Sequence, residues 1–222
     1  SGLNWDLTFL RRALAGDSTV RLTTRVRTAD GWNSLESGRA APPAASDLNG
    51  QAVVGLDALS GADAGPAFDA ALAAFVRGGG GLLVLPGPDG LLSAARGRLA
   101  ADLRVDRGAA SAPTAAPAPT AAAAELFAWD DDPARGMRAW EAAAPLDDVM
   151  PIAPSGADRV LLGSRGGGPP LAFTRRIGRG PVLLFNGTGL WRWSLSGNDE
   201  LQGERGRQLW RRIVRWLSEP VQ

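Results

Sequence analysis

Two glycine turns hold the side chains best placed to do chemistry. One is LPGPDG at 85–90, which offers Gly87, Pro88 and Asp89; the other is FNGTGLWRW at 185–193, with Asn186, Thr188, Trp191 and Trp193. Each follows an apolar run that reads as a buried strand, and open α/β sheets bind ligands beyond the carboxyl ends of adjacent strands. What these residues can do is bounded by what the chain lacks. It has no Cys, His or Tyr, and all 24 of its basic residues are Arg. That removes thiolate and imidazole chemistry, zinc-thiolate sites, lysine Schiff bases and the phosphate-loop lysine. Carboxylates, hydroxyls and guanidiniums remain, which leaves carboxylate acid–base work or hard-metal chemistry; no cofactor is implied.

The other motifs have simpler readings. GDSTV at 16–20 has the form of a Gly-Asp-Ser hydrolase block, but such a serine needs a histidine base and the chain has none. WDDDP at 129–133 gathers carboxylates, and a metal-assisted hydrolysis would have to combine Asp89 with Asp130, Asp131 and Asp132. Asp132 before Pro133 reads instead as a helix N-cap, because hard-metal sites collect ligands from several segments. RGGGGLLVLP sets its glycines before a strand, whereas a dinucleotide fingerprint has them between a strand and a helix, so they read as a helix stop. GSRGGGPP follows a strand but leads into another and supplies no helix N-terminus for a phosphate. Arg205, Arg207, Arg211, Arg212 and Arg215 crowd the last helical stretch. With a net charge of +1 and no aromatic RNA motif, they read as a solvated face and no nucleic-acid partner is expected.

The elements that must position the two turns follow from apolar spacing. At 222 residues and 45% hydrophobic composition the chain can bury a core as a single domain over 1–222. Trp5, Phe9, Leu10 and Leu14 fall at helical spacing, with Asn4 as an N-cap and Gly16 as a stop. VRLTTRVRT at 20–28 alternates and predicts a half-exposed strand near a sheet edge. QAVVGLD, then GPAFDAALAAFVRGGGG with Pro66 in its first turn, then GLLVLPGPDG form a βαβ unit and predict parallel pairing. GAASAPTAAPAPTAAAA at 108–124 is charge-free and of low complexity, and predicts a mobile surface insertion. After it come ELFAW, a helix around Trp140, a strand in DRVLLGSR, an antiparallel hairpin closed by IGRG, and a final helix burying Leu209, Ile213, Val214 and Leu217. The expected fold class is α/β: a three-layer, mostly parallel sheet flanked by helices, with a C-terminal antiparallel hairpin. In an extended LWRW, Trp191 and Trp193 would point one way and Arg192 the other.

Four blocks, WDLTFLRRAL, FVRGGGGLLVLPGP, PLAFTRRIGRGPVLLFNGTGLWRW and LWRRIVRWL, frame nearly the whole chain outside the Ala/Pro tract. In them the sequence resembles the flavodoxin-like class I glutamine amidotransferase fold. More closely it resembles the degenerate amidotransferase-like domains of bacterial membrane-anchored proteins that also carry von Willebrand factor A domains. The resemblance implies a cysteine nucleophile on the turn after LLVLP and a His-x-Glu pair after VLLF. Here the first turn reads Pro86, Gly87, Pro88, and the pair becomes Asn186 and Thr188. Nucleophile, base and orienter are all replaced, so the resemblance carries over the fold and denies the activity.

The expectation is therefore a catalytically inactive module that serves as an interaction or structural domain of a larger cell-envelope protein. Its partners would be other protein domains or envelope proteins, and the resemblance implies the extracytoplasmic face of a bacterial membrane. Absence of cysteine fits cytoplasm and periplasm alike. The opening SGLNWD does not read as a natural initiation, which suits a piece of a longer protein, and no stretch approaches the roughly 20 apolar residues of a membrane span. The alternative is a small-molecule or carbohydrate site at the crest, with Asp89, Asn186 and Thr188 beside the faces of Trp191 and Trp193.

Overall fold

The computed structural model describes residues 5–87, 91, 94–108, 113–123, 126–129, 132–195 and 200–219. Asn4, Pro88, Asp89, Asp130 and Asp131 lie outside the described residues. Helix α1 (Trp5–Ala15) buries Leu10, Ala13 and Leu14 along one face and ends before Gly16. A small antiparallel meander follows: β1 (Arg25–Thr28), β2 (Gly31–Ser34) and β3 (Gly38–Arg39). The alternation read from Val20 thus becomes strand only from Arg25 and joins this separate sheet. Val20 and Leu22 instead pack on the main core. Glu36 ties the meander to α1. Its carboxylate accepts the Thr24 amide at 3.0 Å and the Ser34 hydroxyl at 2.9 Å, and pairs with Arg11 at 3.2 Å. Burial alone would raise its pKa, but these donors outweigh it and hold the group below its ordinary range.

The remaining elements in chain order are β4 (Val53–Asp57), α2 (Pro66–Arg77), β5 (Gly81–Leu85), α3 (Ala100–Leu103), β6 (Asp106–Arg107), β7 (Thr114–Ala115) and β8 (Pro117–Pro119). After them come α4 (Pro133–Glu141), β9 (Leu146–Asp147), β10 (Ile152–Ala153), β11 (Arg159–Ser164), β12 (Ala172–Ile177), β13 (Gly180–Phe185) and α5 (Glu200–Ser218). Six strands form the main sheet in the order β4-β5-β13-β12-β11-β8. The expected β4–α2–β5 unit is present, with Pro66 at the start of α2, Gly78 at its end, and β4 parallel to β5. The expected hairpin is β12–β13. The sheet is mixed and not mostly parallel: β4, β5 and β13 run together, whereas β13–β12, β12–β11 and β11–β8 are antiparallel. The hairpin enters the sheet beside the parallel unit, and each strand beyond it reverses direction.

The low-complexity tract also departs from expectation. Within 108–124, β7 pairs with β9, and β8 forms the edge of the main sheet against β11. The Arg165 amide donates to Ala116 O and the Thr120 amide to Leu161 O, so the bonded positions alternate with Pro117 and Pro119. Both prolines therefore turn their nitrogens away from the sheet, where a donor would otherwise stand exposed for another strand to pair with. Ala115 and Ala123 are buried because small side chains fit beneath this edge. A tract that cannot build a core of its own can still close one.

Alternation along the central strands gives the sheet two apolar faces. Leu83, Leu85, Leu183 and Phe185 meet α1, α5 and the tryptophans, whereas Leu82, Val84, Val182 and Leu184 meet α2 and Leu103 of α3. On the second face, Arg175 of β12 grips Asp158 through two hydrogen bonds of 2.9 Å and donates to the carbonyls of Asp102 and Arg104. Both side chains of the pair are enclosed, at 10% and 1% exposure. Removing one partner leaves an uncompensated buried charge, so Arg175→Ala should destabilise the fold by about 3–5 kcal/mol. Adding Asp158→Ala should cost less than the sum of the single changes. Urea unfolding of the four proteins measures both.

Candidate functional site

The crest lies where β5 and β13 end side by side. Pro86 and Gly87 continue β5 and are buried. Beyond β13, Asn186 is fully enclosed, and every polar atom of its amide is engaged. Its Nδ2 donates to Met150 O at 3.0 Å and Pro170 O at 2.9 Å, while its Oδ1 accepts the Met150 amide at 3.1 Å. The side chain thus clips two loops to the end of the strand. Gly187 follows with φ of 131°. A Cβ there would lie 2.9 Å from that of Leu146 and 3.1 Å from Asp147 O, so both conformation and space require glycine. Thr188 bridges Asp147 through backbone bonds in both directions, and its hydroxyl donates to Asp148 at 2.8 Å.

The LWRW block is a 3₁₀ turn, Leu190–Ser194, and not an extended segment. The two tryptophans consequently diverge. Trp193 is 3% exposed, donates its indole N–H to Ala144 O at 2.8 Å, and stands edge-on to Trp140 with centroids 5.2 Å apart. Trp129 stacks on Trp140 at 4.1 Å to complete the group. Trp191 is half-buried and packs on the other side, against Trp5 and Phe9 of α1 at 6.0 and 6.1 Å. Arg192 folds over Gly189, donates to Pro145 O at 2.6 Å and pairs with Asp147 at 2.9 Å.

Asp6, which sequence reasoning passed over, organises this turn. It is 1% exposed and accepts the amides of Gly189 at 3.1 Å and Trp191 at 2.7 Å, so a carboxylate on α1 caps a turn more than 180 residues away. Burial pushes its pKa above the ordinary 3.8, and the Trp191 and Gly189 amides and the Arg192 charge offset part of that rise. No residue near Asp6 signals this contact, because its partners lie more than 180 residues away. Asp132 takes the N-cap position expected of it, accepting the Ala134 amide at 2.8 Å. Among the described residues no three carboxylates gather as a cation site, and no helix is long and apolar enough to cross a membrane.

No protein-family model matches the chain, and no curated protein matches it. Solved structures similar in fold include two cytoplasmic proteins from Salmonella. The cytoplasmic protein STM1381 from Salmonella typhimurium LT2 aligns with a TM-score of 0.56 at 15% identity, covering 98% of this chain and 89% of that one. The cytoplasmic protein STM3548 from Salmonella typhimurium aligns with a TM-score of 0.53 at 13% identity, over 80% of this chain and 76% of that one. At these identities the likeness is one of fold alone.

Two expectations follow from the geometry. Asn186→Ala strands three backbone partners at the end of β13 and should cost about 3 kcal/mol. Asn186→Asp keeps the shape but turns an oxygen toward two carbonyls, so its loss should shrink as acid restores a donor. Asp6 contributes most to stability below its unfolded pKa of 3.8, and that contribution is lost as pH rises through the higher folded value. Asp6→Asn should flatten this part of the pH profile in chemical denaturation.

Proposed function

We propose that this chain is a non-catalytic, three-layer amidotransferase-like module, flavodoxin-like in design, that acts as an interaction or structural domain within a larger cell-envelope protein. The observation that carries this reading is Asn186. It occupies the position where the resemblance would put a catalytic base, and its whole amide is spent on joining two loops. Gly87, where the nucleophile would sit, has no side chain. Thr188, in place of the orienting acid, holds Asp148. A side chain with all its polar atoms committed to three hydrogen bonds cannot also take a proton from a nucleophile without breaking the fold that places it.

An interaction role draws support from the surface beside the crest. Trp5 is 59% exposed and lies in an aromatic group with Phe9 and Trp191, while the Arg12 guanidinium stands 5.3 Å from the Phe9 ring. Exposed aromatics beside an arginine are the residue types that anchor protein interfaces. The sugar-platform alternative loses its geometric basis, since Trp191 and Trp193 belong to different aromatic groups and Asn186 presents nothing outward.

Glutaminase and ester hydrolysis assays on the purified chain should give no turnover above buffer. Turnover that disappears on substitution of Gly87 or Asn186, in a variant that still folds, would overturn the reading.

A further inference from the structure

A groove of about 480 Å³ opens on the α5 side of the sheet, away from the crest. That volume falls in the range of small-molecule sites, roughly 300–1,000 Å³. Its floor is Leu161 of β11 and Thr174 of β12, and one end is closed by the turn carrying Ala121 and Ala122 and by Leu126. Arg159 and Thr174 are register partners on adjacent antiparallel strands, so their side chains rise from the same face. From above, α5 contributes Arg212, Arg215, Trp216 and Glu219, a spacing that sets all four on one helical face. The stretch that reads as a solvated arginine face therefore divides. Arg207 pairs with Glu204 at 2.7 Å and Arg211 donates to Ala13 O, whereas Arg212 and Arg215 border the groove.

Three guanidiniums face one carboxylate here. Arg212 donates to Ala128 O. Among the described residues, Arg159 and Arg215 form neither an ion pair nor a side-chain hydrogen bond. Thr174 is nine-tenths buried, and its hydroxyl also has no partner among the described residues. The Thr174 hydroxyl and the two unpaired guanidiniums share the groove with a single carboxylate, Glu219, so donors outnumber acceptors there. The walls add an indole face and aliphatic side chains, which suit an apolar body.

We propose that this groove binds a small organic anion. Its carboxylate or phosphate head is held by Arg159, Arg212 and Arg215 over the Thr174 hydroxyl, and its aliphatic or aromatic body lies against Trp216 and Leu126. Guanidinium forks match both heads in a bidentate manner, and the apolar walls receive the body.

Benzoate, phenyl phosphate and phenol titrated into ¹⁵N-labelled protein test this, with the Trp216 indole N–H assigned through Trp216→Phe. Benzoate or phenyl phosphate should shift that signal saturably while phenol does not, and the tighter of the two identifies the head. Arg159→Ala and Arg215→Ala should each weaken binding about five- to tenfold. Thr174→Val should weaken it less, and Arg207→Ala, outside the groove, should leave it unchanged. Both groove arginines are exposed, so the variants should keep the wild-type unfolding midpoint. No saturable shift with either anion, an equal response to phenol, or affinity indifferent to both groove arginines would overturn the proposal.

Discussion

All six residues of β13 are buried, with helices packed over both faces of the strand. A strand in that position cannot end in open water, because the chain leaving it is still inside. Each polar group just past its end must find a protein partner. Asn186 resolves this with its amide, Thr188 with a backbone bridge and a hydroxyl bond, and the 3₁₀ turn with the Asp6 carboxylate. The loops around Met150 and Pro170 gain fixed positions in return, so the crest becomes a joint between segments distant in sequence.

The same constraint explains what could be read in the sequence. Local patterns were legible: the β4–α2–β5 unit, the IGRG hairpin, α5 and the Asp132 cap each depend on a few neighbouring residues. Partners far along the chain were not. Nothing near Asp6 announces that it caps Leu190–Ser194, and nothing in LWRW announces that its tryptophans part, because the turn takes its shape from that distant carboxylate. The strand signal from Val20 failed for a related reason: alternation marks a half-buried segment, and Val20 and Leu22 meet that condition by packing on the core without a ladder. The Ala/Pro tract misled because composition predicts what a segment can do alone, whereas β8 borrows its hydrogen bonds from β11.

Without lysine or histidine, every cationic task falls to arginine, and the fold uses it largely as a backbone cap. Arg211 reaches Ala13 O near the end of α1, Arg179 reaches Gly78 O after α2, and Arg165 reaches Trp140 O in α4. Each meets a carbonyl in or just beyond the last turn of a helix, at the negative end of its dipole. The guanidinium suits this work because its fork is rigid and weakly hydrated.

Arg21 and Arg39 make no such bond, but they stand on open surface where water serves them. Arg159 and Arg215 are exposed too, but they border a groove walled by Leu161, Trp216 and alanines, with the Thr174 hydroxyl at its floor. Like charges brought together there repel one another, and an anion seated between them would relieve that repulsion. What sets these two apart is that they converge, with Arg212, on a groove whose described lining holds one carboxylate. Among the described residues the groove offers these cations one carboxylate, Glu219, and an anion bound there would restore the balance.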